Sequence, residues 1–355
     1  MVGSGFQRLR KSPWEILSSA IFSSILVVSS QLALAMVPHF FPSFSLVSML
    51  PIAGVVFVAT VVIGRWCRRL LGVPASAPAF VLFNVFFLWG VYICIIRQAV
   101  PSLLDAILNA ECALLLFGLY RLLHPHKFLS PLSFMIFSSD PGMVSYDSSR
   151  STEASCNGFS DFSQCENSSL FPRVRYCTSC KTNIRGFDHH CPALGNCIGQ
   201  KNHRLFMVLL TGFVIAESSY TMCSTRYITR FLNTSRVGLE ANLSLNMVIS
   251  TMLFSILQVL WQFLLFGSFV HLYISLMLHL LFSPSDQVVF LMWHLYCICF
   301  NIKTEEWINW RKYPEFQLNI PAPAQQGSAF SEIRFFNPYD KGFVGNIKEF
   351  LKPKH

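Results

Sequence analysis

Four cysteines and two histidines crowd one polar stretch of an otherwise apolar chain. Cys177-Thr-Ser-Cys180 is followed after nine residues by His190, and after six more by Cys197. A CxxC turn offers two thiolates from one tight knuckle, and a later His and Cys can close a tetrahedron around zinc. Cys177, Cys180, His190 and Cys197 would then hold one structural ion, with no position left open for water. Free thiols without metal are the plainer alternative, since CxxC spacing also serves thiol chemistry.

A second pattern overlaps the first. In Asp188-His189-His190-Cys191, an extended backbone would send neighbouring side chains to opposite sides. His190 can then face the metal while His189 and Cys191 share the other side. An imidazole beside a thiol favours the thiolate at neutral pH, below the free value of about 8.5, and makes Cys191 a candidate nucleophile. Asp188 could orient His189 and stabilise its imidazolium. Strict alternation puts Asp188 on the zinc side, so that role requires a turn at Asp188.

These residues need a scaffold, and composition says which kind. Of 355 residues, 53% are apolar and only 13% charged, against about 25% charged in soluble domains. That excludes a soluble enzyme, a disordered chain and a small disulfide scaffold. Runs at 14–37, 44–64, 80–100, 103–123 and 205–225 are each about the 20 residues that a membrane helix needs, and a longer apolar region covers 246–300. They lack strand-like alternation, so the expected fold is an all-α polytopic membrane protein: a transmembrane helix bundle with a small cytosolic zinc-binding cysteine-rich domain.

Lys and Arg set the orientation. Arg8, Arg10 and Lys11 precede the first span, Arg65, Arg68 and Arg69 follow the second, and Arg121 and Lys127 follow the fourth. The N-terminus, the 65–79 loop and the region after 123 are therefore expected in the cytosol. Arg226, Arg230 and Arg236 after the fifth span conflict with the rule, while the sequons at Asn233 and Asn242 agree with a lumenal loop. The net charge of +9 lies in short patches suited to anionic headgroups, and no nucleic-acid partner is expected. The domain reading is 1–137 N-terminal helices (about four), 138–170 a Ser-rich cytosolic loop, 171–204 the cysteine-rich zinc domain, 205–300 C-terminal helices and 301–355 a cytosolic tail. In 246–300 one crossing plus a re-entrant piece is expected, with three short crossings as the alternative.

The run Asp188-His-His-Cys-Pro-Ala-Leu-Gly-Asn-Cys-Ile-Gly-Gln-Lys-Asn202 resembles the signature of the DHHC protein S-acyltransferases (palmitoyltransferases). Three ordered segments resemble further family motifs: Asp140-Pro141-Gly142, Lys303-Thr304-Glu305-Glu306 in place of Thr-Thr-x-Glu, and Asn337 to Asn346 (NPYDKGFVGN), a C-terminal motif ending in a buried Asn. The resemblance implies that Cys191 takes a fatty acyl group from acyl-CoA, with His189 and Asp188 assisting, and passes it to membrane-proximal cysteines of cytosolic-face proteins. It also implies an endomembrane (ER or Golgi) or plasma-membrane location. Arg173, Arg175, Lys181, Arg185, Lys201 and Arg204 are candidates to face the phosphates of CoA.

The chain reads as a variant with a reduced cysteine-rich domain. The family typically carries two zinc sites. Here the second is whole, but Tyr176 stands where the first expects His, Asn183 where it expects Cys, and the upstream CxxC is missing, Cys156 and Cys165 lying too far apart. Ala193 replaces a usual Trp and Lys303 a usual Thr. The competing reading is a catalytically inactive zinc-binding membrane adaptor, against which the intact Asp188, His189 and Cys191 argue. A transporter would need ionisable residues within spans; Glu111, Glu217, His271, His279 and His294 form no evident relay.

Overall fold

A computed structural model describes residues 12–42, 46–73, 76–123, 140–144, 173–233, 242–254, 286–320 and 332–352. Most of the expected Ser-rich loop and most of the 246–300 region, with its number of crossings, lie outside these residues. The chain divides into two compact units, one of residues 1–120, 193–195 and 209–290 and the other of 121–192, 196–208 and 291–355.

The first unit is helical. It contains α1 (Pro13–Phe40), α2 (Leu46–Leu70), α3 (Ala77–Cys94), α4 (Ser102–Leu123), most of α5 (His203–Asn233), and a shorter α6 (Asn242–Phe254). Five of these are long and apolar enough to cross a membrane, in agreement with the five apolar runs. Local sequence sets where they start. Ser12 accepts from the Glu15 amide at 3.2 Å while Glu15 accepts from the Ser12 amide at 2.9 Å, and Pro13 opens the helix; together these make a capping box with Pro at the first helical position.

The bundle is inverted relative to a soluble one. Ile21, Ile25, Leu32 and Met36 are exposed on α1, while Ser19, Ser23, Ser30 and Gln31 are buried. In lipid, small and polar residues pack between helices and aliphatic ones face the acyl chains. Side-chain bonds link the helices. Tyr92 donates to Asp105 at 2.9 Å and Trp89 to Asn109 at 2.9 Å, joining α3 to α4. Tyr220 donates to Thr251 at 2.9 Å, joining α5 to α6. The fifth helix continues to Asn233, beyond the expected end at 225, so Arg226 and Arg230 ride on helix and not in a loop. Arg230 caps the Gln98 carbonyl at 3.3 Å.

The second unit carries the motifs on short strands. β1 (Met143–Val144), β2 (Val174–Cys177) and β3 (Thr182–Arg185) form a sheet in the order β1-β3-β2. β4 (His189–Cys191) pairs with β5 (Asn196–Ile198), setting His190 opposite Cys197. The Asp-Pro-Gly turn closes by a bond from the Gly142 amide to Asp140 at 2.9 Å, with Gly142 at φ 90°. Its backbone lies against Gly199, where an added Cβ would stand 2.2 Å from the Pro141 carbonyl oxygen. Backbone cannot yield as a side chain can. Gly199→Ala should therefore displace this turn and destabilise the unit by about 1–3 kcal/mol, the usual cost of overpacking, read as a lowered midpoint in thermal unfolding.

The tail belongs to this unit. α7 (Asp286–Cys299) leads to a short α8 (Thr304–Asn309), a hairpin of β6 (Gln317–Ile320) and β7 (Glu332–Phe335), and α9 (Phe343–Leu351). Asn346, 1% exposed, donates to the Cys299 carbonyl at 2.8 Å and to Asp340 at 2.6 Å, and accepts from the Lys341 amide at 2.8 Å. Asn337 donates to the Phe300 carbonyl at 2.6 Å. The two side-chain amides of the C-terminal motif thus bind the last carbonyl of α7, at Cys299, and the Phe300 carbonyl just after it, where helical partners run out.

Candidate functional site

The four expected ligands converge. Atoms of Cys177, Cys180, His190 and Cys197 all lie within 4.8 Å of one another. His190 Nδ1 stands 3.4 Å from Cys180 Sγ and 3.5 Å from Cys197 Sγ, and the two sulfurs are 3.3 Å apart. Two strand pairs build this. The β2–β3 turn, with Lys181 at φ 52°, delivers the CxxC knuckle, and the β4–β5 pair delivers His190 and Cys197. Burial and the neighbouring thiols Cys180 and Cys177 push the Cys197 thiol far up. A divalent cation reverses that penalty, because it binds thiolates. Three sulfurs and one imidazole, closely spaced and largely buried, fit a cation that prefers tetrahedral N/S ligation. Tyr176 and Asn183 stand directly opposite each other across β2–β3. Neither is a ligand there; they form an ordinary cross-strand pair.

Asp188 lies just before β4, and its amide donates to the Ile198 carbonyl at 2.8 Å. Asp188 is fully buried, and its Oδ2 lies 2.8 Å from His189 Nδ1. The Thr304 amide donates to Oδ1 and the Thr304 hydroxyl to Oδ2, each at 3.0 Å, while the Glu305 amide donates to the Asp188 carbonyl at 3.0 Å. Burial alone would raise the Asp188 carboxyl, but His189 and the surrounding imidazoles hold it well below the usual carboxylate range. Burial likewise lowers His189, yet the bonds to Asp188 and then Cys191 outweigh it and lift the imidazole to about 9. His189 therefore bonds Asp188 on one side and Cys191 on the other.

Two parts of this cluster were not assigned from sequence. Thr304 was recognised only as a motif member, and its grip on Asp188 follows from the motif's position after α7. His294, weighed from sequence only among the ionisable residues within spans, is fully buried with Nδ1 3.7 Å from Asp188 Oδ2. Only tertiary packing brings it there. Lys303, the departure from Thr, places Nζ 3.1 Å from His203 Nδ1. Burial lowers its ammonium, opposed by Asp188.

The candidates for CoA phosphates divide. Arg173 pairs with buried Glu306, donates to the Asn301 side chain and carbonyl at 2.9 Å each, and lies over the Tyr339 ring at 4.0 Å. Arg175 pairs with Glu315 and lies over Tyr313 at 3.8 Å. Both are engaged with the tail, Arg173 just before β2 and Arg175 within it. Lys201 is 3.4 Å from Asp140.

A family profile described as DHHC palmitoyltransferase matches residues 158–311, spanning the cysteine cluster, Asp188 to Cys191 and Thr304 to Glu306. Over this stretch the chain is similar to the DHHC palmitoyltransferases. Among relatives, it is 30% identical to palmitoyltransferase ZDHHC17 of Mus musculus over 170 residues, 46% of this chain and 24% of that protein. It is 41% identical to palmitoyltransferase ZDHHC7 of Mus musculus over 59 residues, 16% of this chain and 19% of that protein. Palmitoyltransferase AKR1 of Mortierella alpina is 41% identical over 56 residues, 16% of this chain and 10% of that protein. The chain thus spans between a tenth and a quarter of the length of these relatives.

Proposed function

We propose that this chain is a protein S-acyltransferase that carries a palmitoyl or similar fatty acyl group on Cys191, from acyl-CoA to cysteines of target proteins. The observation that carries the reading is the chain of contacts Thr304–Asp188–His189–Cys191. It links the family's two motifs through one fully buried carboxylate.

His189 takes the Cys191 proton while Asp188 stabilises the imidazolium. The thiolate adds to the thioester carbonyl of acyl-CoA, the carbon–sulfur bond to CoA breaks, and the leaving thiolate recovers the proton from His189. In the second half the thiol of a target cysteine gives its proton to His189 and attacks the Cys191 thioester, which restores the Cys191 thiolate. Zinc at Cys177, Cys180, His190 and Cys197, one ion per chain, would hold β2–β3 against β4–β5 and take no part in these steps.

The surroundings follow from the orientation reading. Residues 171–204 and the tail from 301 face the cytosol of an ER, Golgi or plasma membrane, where acyl-CoA is available. Targets are proteins with membrane-proximal cysteines. The domain reading, from helices at 1–137 to the tail at 301–355, is part of the proposal.

Labelling with an alkynyl fatty acid tests it. Native protein should take up the label as a hydroxylamine-labile thioester, and Cys191→Ser should take up none while retaining its metal. A native protein that holds zinc and takes up no label leaves the adaptor reading.

A further inference from the structure

The reacting face of the site carries a second set of metal-ligating groups, separate from the cysteine cluster. Atoms of Asp188, His189 and His294 lie within 4.8 Å of one another. Asp188 Oδ2 is the hub, 2.8 Å from His189 Nδ1 and 3.7 Å from His294 Nδ1. The carboxylate and the His294 ring are fully buried. The two imidazoles are 5.5 Å apart at their centroids, and Phe206 packs edge-on against both, at 5.4 Å from His189 and 5.0 Å from His294. Tetrahedral zinc with bonds of roughly 2.0–2.2 Å sets its ligand atoms about 3.3–3.5 Å apart. The two distances to Oδ2 bracket that value, so small ring movements suffice. One carboxylate and two imidazoles are also a donor set suited to borderline first-row divalent cations.

The geometry points to a second, weaker divalent-cation site at Asp188, His189 and His294, at which added zinc or cobalt inhibits the protein. Binding would release the hydrogen bond between His189 Nδ1 and Asp188. With the metal on Nδ1, a neutral imidazole carries its proton on Nε2. His189 can then no longer accept the proton of Cys191, and the cation opposes formation of an imidazolium. The displaced proton goes from Nδ1 to solvent or to Nε2; no oxidation is involved. The carboxylate would keep the Thr304 amide bond on Oδ1, which lies away from the hub. Binding does not depend on the acyl-transfer reading; only the inhibition does.

The test uses full-length protein in detergent holding its first equivalent of metal. Cobalt(II) is added under equilibrium dialysis, followed by a metal count and absorption spectroscopy. The expected result is a second equivalent that adds ligand-field absorption without thiolate-to-cobalt charge transfer, since no sulfur is among its ligands. Loss of this second equivalent in His294→Gln, with the first retained, supports the site. Failure of native protein to take up a second ion overturns it, as does a second ion that brings thiolate charge transfer. A second ion still bound without charge transfer in His294→Gln also overturns it. For inhibition, zinc at saturating free concentration should slow acyl uptake at least about 10²-fold, in line with loss of general-base help, and a chelator that spares the first ion should restore it. Uptake that stays fast with the second ion bound overturns the inhibitory role alone. Absence of acylation before any second ion is added, in protein that does take one up, would fault the acyl-transfer reading and leave the metal site standing.

Discussion

His190→Ala is expected to release the metal and unfold the second unit's strand pairs, whereas His189→Ala keeps the metal and slows acyl uptake by about 10²–10⁴-fold. These are neighbours in β4, and an extended strand sends them to opposite sides. His190 Nδ1 sits 3.4 Å from Cys180 and 3.5 Å from Cys197, among the thiols. His189 Nδ1 sits 2.8 Å from Asp188. Losing one of four ligands from a structural site removes binding energy that is also folding energy. Metal content by mass spectrometry and a single-turnover acylation rate read the two effects separately. Metal loss in His189→Ala with retention in His190→Ala would reverse the assignment.

The second large effect concerns the tail. Arg173→Ala should destabilise the second unit by about 3–5 kcal/mol, the usual cost of leaving one member of a buried ion pair uncompensated. Glu306 is 1% exposed at its side chain and Arg173 15%. Glu306 also accepts from the Lys303 amide at 2.9 Å. The same turn presents Thr304 to Asp188, so Arg173→Ala should lower activity as well as stability, although Arg173 touches no reacting group. Arg173→Lys should recover little, since one ammonium cannot reproduce bonds to both Glu306 and Asn301. Chemical unfolding measured alongside the acylation rate distinguishes this from a role in binding CoA, which would raise the apparent KM and leave stability unchanged.

How far the sequence reaches depends on whether a contact is local. The cluster that could hold a metal was legible because a CxxC knuckle and a His–Cys hairpin carry their geometry in their spacing. The five spans were legible because hydropathy and length alone decide them. Helix ends were not. The α5 run was read to 225 and extends to Asn233, since arginines at a bundle's end can satisfy carbonyls such as that of Gln98. The tail partners of Arg173 and Arg175 were not legible because a basic residue near a cysteine-rich domain looks alike whether it meets a phosphate or a glutamate more than a hundred residues on. His294 was legible only as an ionisable residue within a span; its nearness to Asp188 comes from how α7 packs.

The most direct measurement is the intact mass of purified protein after incubation with palmitoyl-CoA, with free CoA thiol counted in parallel. The account predicts one thioester-linked acyl group on Cys191 per chain, one CoA released for each, and no addition in Cys191→Ser that still holds its metal. A metal-loaded native protein whose mass does not change, or one whose acyl group persists in Cys191→Ser, would contradict it.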